Sequence, residues 1–90
     1  MSVNIKKNMQ TDKKNVRTPF SVIYKQINSE ISVYLKTGEI YTGTLKKVDN
    51  YMNLLLENTV EEIGGKQIRY GRALIRGNNI LFIKVNKDRL

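Results

Sequence analysis

The chain has no cysteine and no histidine, one proline and no tryptophan. Without cysteine there is no disulfide framework and no thiolate zinc site. Without histidine the commonest general base and the commonest metal ligand are missing as well. The acids are few and scattered, with no metal-ligand spacing. Glu61-Glu62 sits beside the Gly64-Gly65 loop, and that pair reads most simply as a solvated turn. These absences argue against an enzyme, a resident metal or an organic cofactor. No run approaches the ~18 apolar residues of a membrane span, and the start shows no signal-peptide core, so the expected setting is cytoplasmic, with no membrane partner.

What is present is base. Sixteen Lys and Arg stand against eight Asp and Glu, a formal charge of +8 on 90 residues. A chain this short makes one small domain. One this basic suits a polyanion, nucleic acid first. Residues 1–17 hold Lys6, Lys7, Lys13, Lys14 and Arg17 against Asp12 alone, a net of +4. That stretch is polar and without periodicity, so it is expected to be a flexible basic arm ahead of a folded domain over 18–90. It serves either as a solubilising tail or as an accessory RNA contact.

Thr18 reads as a helix N-cap and Pro19 as its first residue. Phe20, Ile23, Tyr24 and Ile27 follow at i, i+3, i+4 and i+7, one apolar stripe on a helix of roughly ten residues. Strand signals occupy the rest. Ile31, Val33 and Leu35 alternate with Ser32, Tyr34 and Lys36, and Thr37-Gly38 is a turn. Residues 39–48 change phase about Gly43, where a bulge or bend is expected. Further strands are expected over 51–57, 68–75 and 80–85. The fold class is therefore mainly β: an N-terminal helix, then five short antiparallel strands in a strongly bent small barrel. Closing the sheet manages its edges, and the helix covers one open end. Leu54-Leu55-Leu56 and Ile80-Leu81-Phe82-Ile83 do not alternate. A domain this small cannot cover both faces of such strands, which points to another copy, unless the bend itself buries both.

Two turns concentrate unusual side chains. Asp49-Asn50-Tyr51-Met52-Asn53 and Arg76-Gly77-Asn78 each join apolar strands, so both can lie at one end of the barrel. Tyr51 offers a flat face for a base, and the planar guanidinium of Arg76 can stack opposite it or take a phosphate. The Asn53 amide carries a donor and an acceptor, matching the carbonyl and ring N–H of uracil. Asp49 can accept from backbone N–H groups or from the Asn53 amide and hold the loop. Gly77 leaves room for a base or permits positive φ. The same residues also read as an ordinary hairpin turn and an ordinary strand end.

The stretch Leu35-Lys36-Thr37-Gly38-Glu39-Ile40-Tyr41-Thr42-Gly43-Thr44-Leu45, with Val48-Asp49-Asn50-Tyr51-Met52-Asn53-Leu54-Leu55-Leu56, resembles the first signature of the Sm and Sm-like (Lsm) family. Ile75-Arg76-Gly77-Asn78-Asn79-Ile80-Leu81-Phe82-Ile83 resembles the second. The resemblance spans roughly residues 19–85. It implies the helix and bent five-stranded barrel, joined in six- or seven-membered rings by the fourth strand of one subunit pairing with the fifth of the next. It implies single-stranded uridine-rich RNA around the pore, in RNA processing or ribonucleoprotein assembly. One base per subunit would stack between Tyr51 and Arg76, read by Asn53, with Asp49 in support and Gly77 and Asn78 completing the pocket. The family often has His or Phe at the position of Tyr51 and Asp at that of Asn78. The short, acid-poor C-terminus looks more like an archaeal homo-oligomer than one of several different chains in a eukaryotic ring. The competing class is a basic barrel coating duplex DNA, since fold does not fix function.

Overall fold

A computed structural model describes residues 20–86. The expected arm, Thr18 and Pro19 lie outside the described residues. The elements are α1 (Phe20–Tyr24), β1 (Glu30–Leu35), β2 (Ile40–Val48), β3 (Leu54–Ile63), β4 (Lys66–Ile75) and β5 (Ile80–Val85), with a 3-10 turn at Gly77–Asn79 before β5.

The helix is shorter than its stripe implies. After the Lys25 N–H bonds to the Ser21 carbonyl, the chain tightens into i−3 bonds from Gln26 to Ile23 and from Ile27 to Tyr24. Asn28 then turns left-handed at φ 75. Its N–H donates to the Leu45 carbonyl at 2.7 Å, while Leu45 N–H donates to Ser29 at 2.9 Å. Capture by β2 ends the helix. Ile23 is fully buried and Ile27 packs on the core, whereas Tyr24 stays exposed.

The strands form one antiparallel sheet in the order β4-β3-β2-β1-β5. Expected closure does not occur: β4 and β5 are free edges, because the tight turn joining them leads to opposite ends of the strand order. The bend at Gly43 is real. The β2–β3 register shifts on either side of it, and a Cβ there would meet the Glu57 carbonyl at 2.9 Å and Thr59 Cα at 3.2 Å. Opposite this point Asn58 takes φ 51. There β3 bends instead of ending, so it runs six residues beyond the expected stop at Glu57. Its far end meets β4 through Gly64 and Gly65, both with positive φ, a two-residue turn that matches the strand twist.

One consequence is a corrected role for Glu61. It belongs to a strand, not a solvated turn, and is only 8% exposed, while Glu62 faces solvent. The core is Ile23, Ile31, Val33, Leu45, Leu54, Leu56 and Ile75. Leu54 and Leu56 are fully buried and Leu55 partly so. On β5, Ile80 and Ile83 pack on the core while Leu81 and Phe82 stand exposed. A bulge beside Tyr34–Leu35 produces that split, with Leu35 opposite Ile80 and Tyr34 opposite Phe82. The apolar surplus therefore lies on the free edges, with Leu74 of β4 70% exposed.

Candidate nucleic-acid interface

The β2–β3 loop and the β4–β5 turn meet at one end of the sheet, because Val48 pairs with Leu54 and Leu54 with Ile75. Each strand pair delivers its connection to the same edge of the core. The loop closes on itself: Met52 N–H donates to the Asp49 carbonyl at 2.9 Å. The Asp49 carboxylate fixes the rest. Its Oδ1 accepts from Tyr51 N–H at 2.9 Å and Asn53 N–H at 3.0 Å, and its Oδ2 from the Asn53 amide at 3.0 Å. The Asn53 bonds, then that of Tyr51, hold the Asp49 carboxyl below its ordinary value. Hydrogen bonds to the ionised form favour it.

Asn53 then reaches the other turn. Its Oδ1 accepts from Gly77 N–H at 2.8 Å. The approach is very close: a Cβ on Gly77 would lie 1.9 Å from the Tyr51 carbonyl oxygen and 2.9 Å from Met52 C. Gly77 is thus required by contact with the facing backbone; it has no positive φ. Two bonds leave the Asn53 amide one N–H and one lone pair.

Tyr51, Met52, Asn53, Arg76, Gly77 and Asn78 line one open hollow of about 440 Å³. Tyr51 is 81% exposed and carries no hydrogen bond from its ring. Arg76 is extended at φ −76, ψ 133 and exposed. Of the six residues singled out in the sequence, five line the hollow, and Asp49 sits behind it as the anchor. Met52 is the addition: it holds φ 63, packs on the core and lines the hollow. Nothing in its residue type signals a left-handed backbone. Among the described residues no group of three acids, histidines or cysteines could hold a metal ion, and no helix is long and apolar enough to cross a membrane.

Residues 21–85 match the LSM domain. The chain belongs to the LSM domain family. It is 41% identical over 81 residues to the U6 snRNA-associated Sm-like protein LSm6 of Debaryomyces hansenii, covering 89% of this chain and 94% of that one. With LSm6 of Neurospora crassa the figures are 38% over 80 residues, 88% and 98%. Among solved structures, a heptameric archaeal Sm protein matches with TM-score 0.70 and 31% identity, over 74% of this chain and 98% of that one. The Sm protein of Pyrococcus abyssii in complex with a uridine heptamer gives 0.72 and 31%, over 78% and 100%. The fungal LSm6 relatives overturn the archaeal attribution, which rests on a short C-terminus rather than on any residue of the LSM domain. In keeping with its family, the chain is not an enzyme.

Proposed function

We propose that this chain is a subunit of a closed Sm-type ring that binds single-stranded, uridine-rich RNA in RNA processing or ribonucleoprotein assembly. Six or seven subunits would join by β4 of one pairing with β5 of the next. The observation that carries the reading is the lock from Asp49 through Asn53 to Gly77, which gathers Tyr51 and Arg76 into one hollow. The base stacks between Tyr51 and Arg76. Asn53 spends its remaining N–H and lone pair on the base edge, and Gly77 and Asn78 form the floor and rim. The two free edges and their exposed Leu74, Leu81 and Phe82 support the ring. A Sm protein solved with a uridine heptamer and relatives named for U6 snRNA support the ligand.

Stacking contributes roughly 1–3 kcal/mol per base. One site is weak, and a ring repeats it. Tyr51→Ala and Arg76→Ala should each weaken oligouridine binding by at least tenfold in fluorescence anisotropy. Native mass spectrometry of the same preparations reports the ring. A protein that coats duplex DNA relies on a basic face and keeps its DNA affinity in Tyr51→Ala. Unchanged oligouridine affinity in both stacking variants, with the ring intact, would refute the pocket.

A further inference from the structure

We propose that Glu61, Tyr41 and Tyr70 form a socket for an ammonium group, filled in the assembled ring by Lys84 of the adjoining copy. The inference rests on the ring reading above and adds a polar lock to its edge-to-edge joint.

Glu61 lies in β3, directly opposite Tyr41 of β2. It is nearly buried, and Tyr70 Oη–H donates to its Oε1 at 2.7 Å. The Tyr41 and Tyr70 rings stack, with centroids 6.4 Å apart. The Tyr41 hydroxyl is pushed up to about 12, first by burial and then by the charge of Glu61. Two phenols solvate a carboxylate but do not neutralise it. A buried carboxylate is costly unless it is both hydrogen-bonded and paired. The ion pair on this sheet joins Arg72 to Glu57 at 3.6 Å, and Glu61 has no cation partner among the described residues. A second polar group on the same strand is equally incomplete. The Thr59 hydroxyl, two residues away and so on the same side, is fully buried with no hydrogen-bond partner.

The socket opens toward a free edge. Tyr70 and Ile68 belong to β4, and both stay more than two-fifths exposed. A neighbour's β5 would be the strand added there. With the turn-side ends level, Ile75 of β4 stands beside Ile80 of the neighbour. Four residues back along β4 is Gly71, and four residues on along β5 is Lys84, each a run of ~13 Å at strand rise. Lys84 thus arrives beside Gly71, the residue next to Tyr70. No atom lies within 4 Å of where a Gly71 Cβ would sit, which leaves space for a lysine stem. Lys84 is exposed in the single subunit.

The experiment measures assembly of the full chain against concentration by native mass spectrometry and light scattering. The variants are Glu61→Gln, Lys84→Met, both together, and the exchanged pair Glu61→Lys with Lys84→Glu. Each single variant should raise the concentration for half assembly at least tenfold. The double neutral variant should be no worse than either single one, and the exchanged pair should recover much of the loss. Lys84 is exposed, so its variant keeps the test open if Glu61→Gln disturbs the fold, which circular dichroism reports. If wild-type rings form and Lys84→Met assembles like wild type, or the neutral substitutions act independently, the socket is refuted and the ring stands. A wild-type chain that remains a 10.4 kDa monomer overturns the ring reading and the socket together.

Discussion

Gly77→Ala tests the construction of the site without touching a base-contacting side chain. The added methyl would sit 1.9 Å from the Tyr51 carbonyl oxygen, 2.9 Å from Met52 C and 3.0 Å from the Met52 oxygen. All three are backbone atoms, so no flexible side chain can swing aside. The turn must retreat by more than an ångström, and the 2.8 Å bond from Gly77 N–H to Asn53 cannot survive that retreat. Overpacking costs about 1–3 kcal/mol, and losing a hydrogen bond about 0.5–1.5 kcal/mol. The sum, about 2–4 kcal/mol, is a large part of the ~5–15 kcal/mol typical of a domain. At about 4–8 °C per kcal/mol for a domain this small, the melting temperature should fall by about 10–25 °C.

The same change at Gly71 is the control. A Cβ there meets nothing within 4 Å, and the residue is not among those with positive φ. Gly71→Ala should be neutral, or stabilising by up to ~1 kcal/mol through the unfolded chain. Thermal melts followed by circular dichroism compare the two. If Gly77→Ala melts within about 2 °C of wild type and still binds oligouridine, the loop and the turn are not locked as described.

Asn58 holds φ 51 within β3, so Asn58→Gly should be tolerated while Asn58→Val should cost about 1–2 kcal/mol in urea melts. Asp49 has its folded-state pKa below the ordinary 3.8, so its contribution is present above that value and is lost as pH falls through the lower one. Asp49→Asn should therefore weaken wild-type stability near pH 7 and erase the difference in strong acid, as read by melts against pH. Tyr41 works in the opposite direction: its stabilising effect holds below pH 10 and disappears as pH rises toward about 12, and absorbance titration should show a late-ionising tyrosine absent from Tyr41→Phe. If the basic segment 1–17 touches RNA, deleting it should flatten the plot of log affinity against log salt by about 0.7 for each phosphate that the segment neutralises, with uridine preference intact. An equal slope favours a solubilising tail.

The parts legible in the sequence are those governed by neighbours in the chain. Alternation at Ile31, Val33 and Leu35 marks a strand with those residues facing the core. Asp49 is readable as an anchor because Asp accepts from backbone N–H groups two and four residues on. The failures lie where distant segments decide. The helix stops early because Leu45 captures Asn28, a bond across seventeen residues. The third strand continues past Glu57 because Asn58 bends opposite Gly43, and its acids then read as solvent-facing when one of them is buried. Gly77 reads as a residue chosen for room or for positive φ; only the facing carbonyl of Tyr51 shows which. Closure of the barrel fails for a different reason. Edge strands must be managed, but another subunit can manage them as well as the sheet's own end.

The edges and the hollow are parts of one device. β4 ends at Ile75, Arg76 follows at once, and β5 begins at Ile80. Both strands flanking the Arg76 turn are free edges, so pairing each with a neighbour would clamp the turn from two sides. The structure already restrains the loop through Asp49 and Asn53, while Tyr51 and Arg76 project freely from those fixed backbones. A stacking site of this kind gains when its partners lose little freedom on binding. Assembly would thus act twice on affinity. It would stiffen the Arg76 side of each hollow, and it would place further hollows along the same strand of RNA, so that each base after the first binds intramolecularly. Binding of oligouridine should then rise with length far more steeply than one site allows, up to the number of subunits, and level off beyond it. Affinity that grows only in proportion to length, as independent hollows would give, would show that the edges and the site are not coupled.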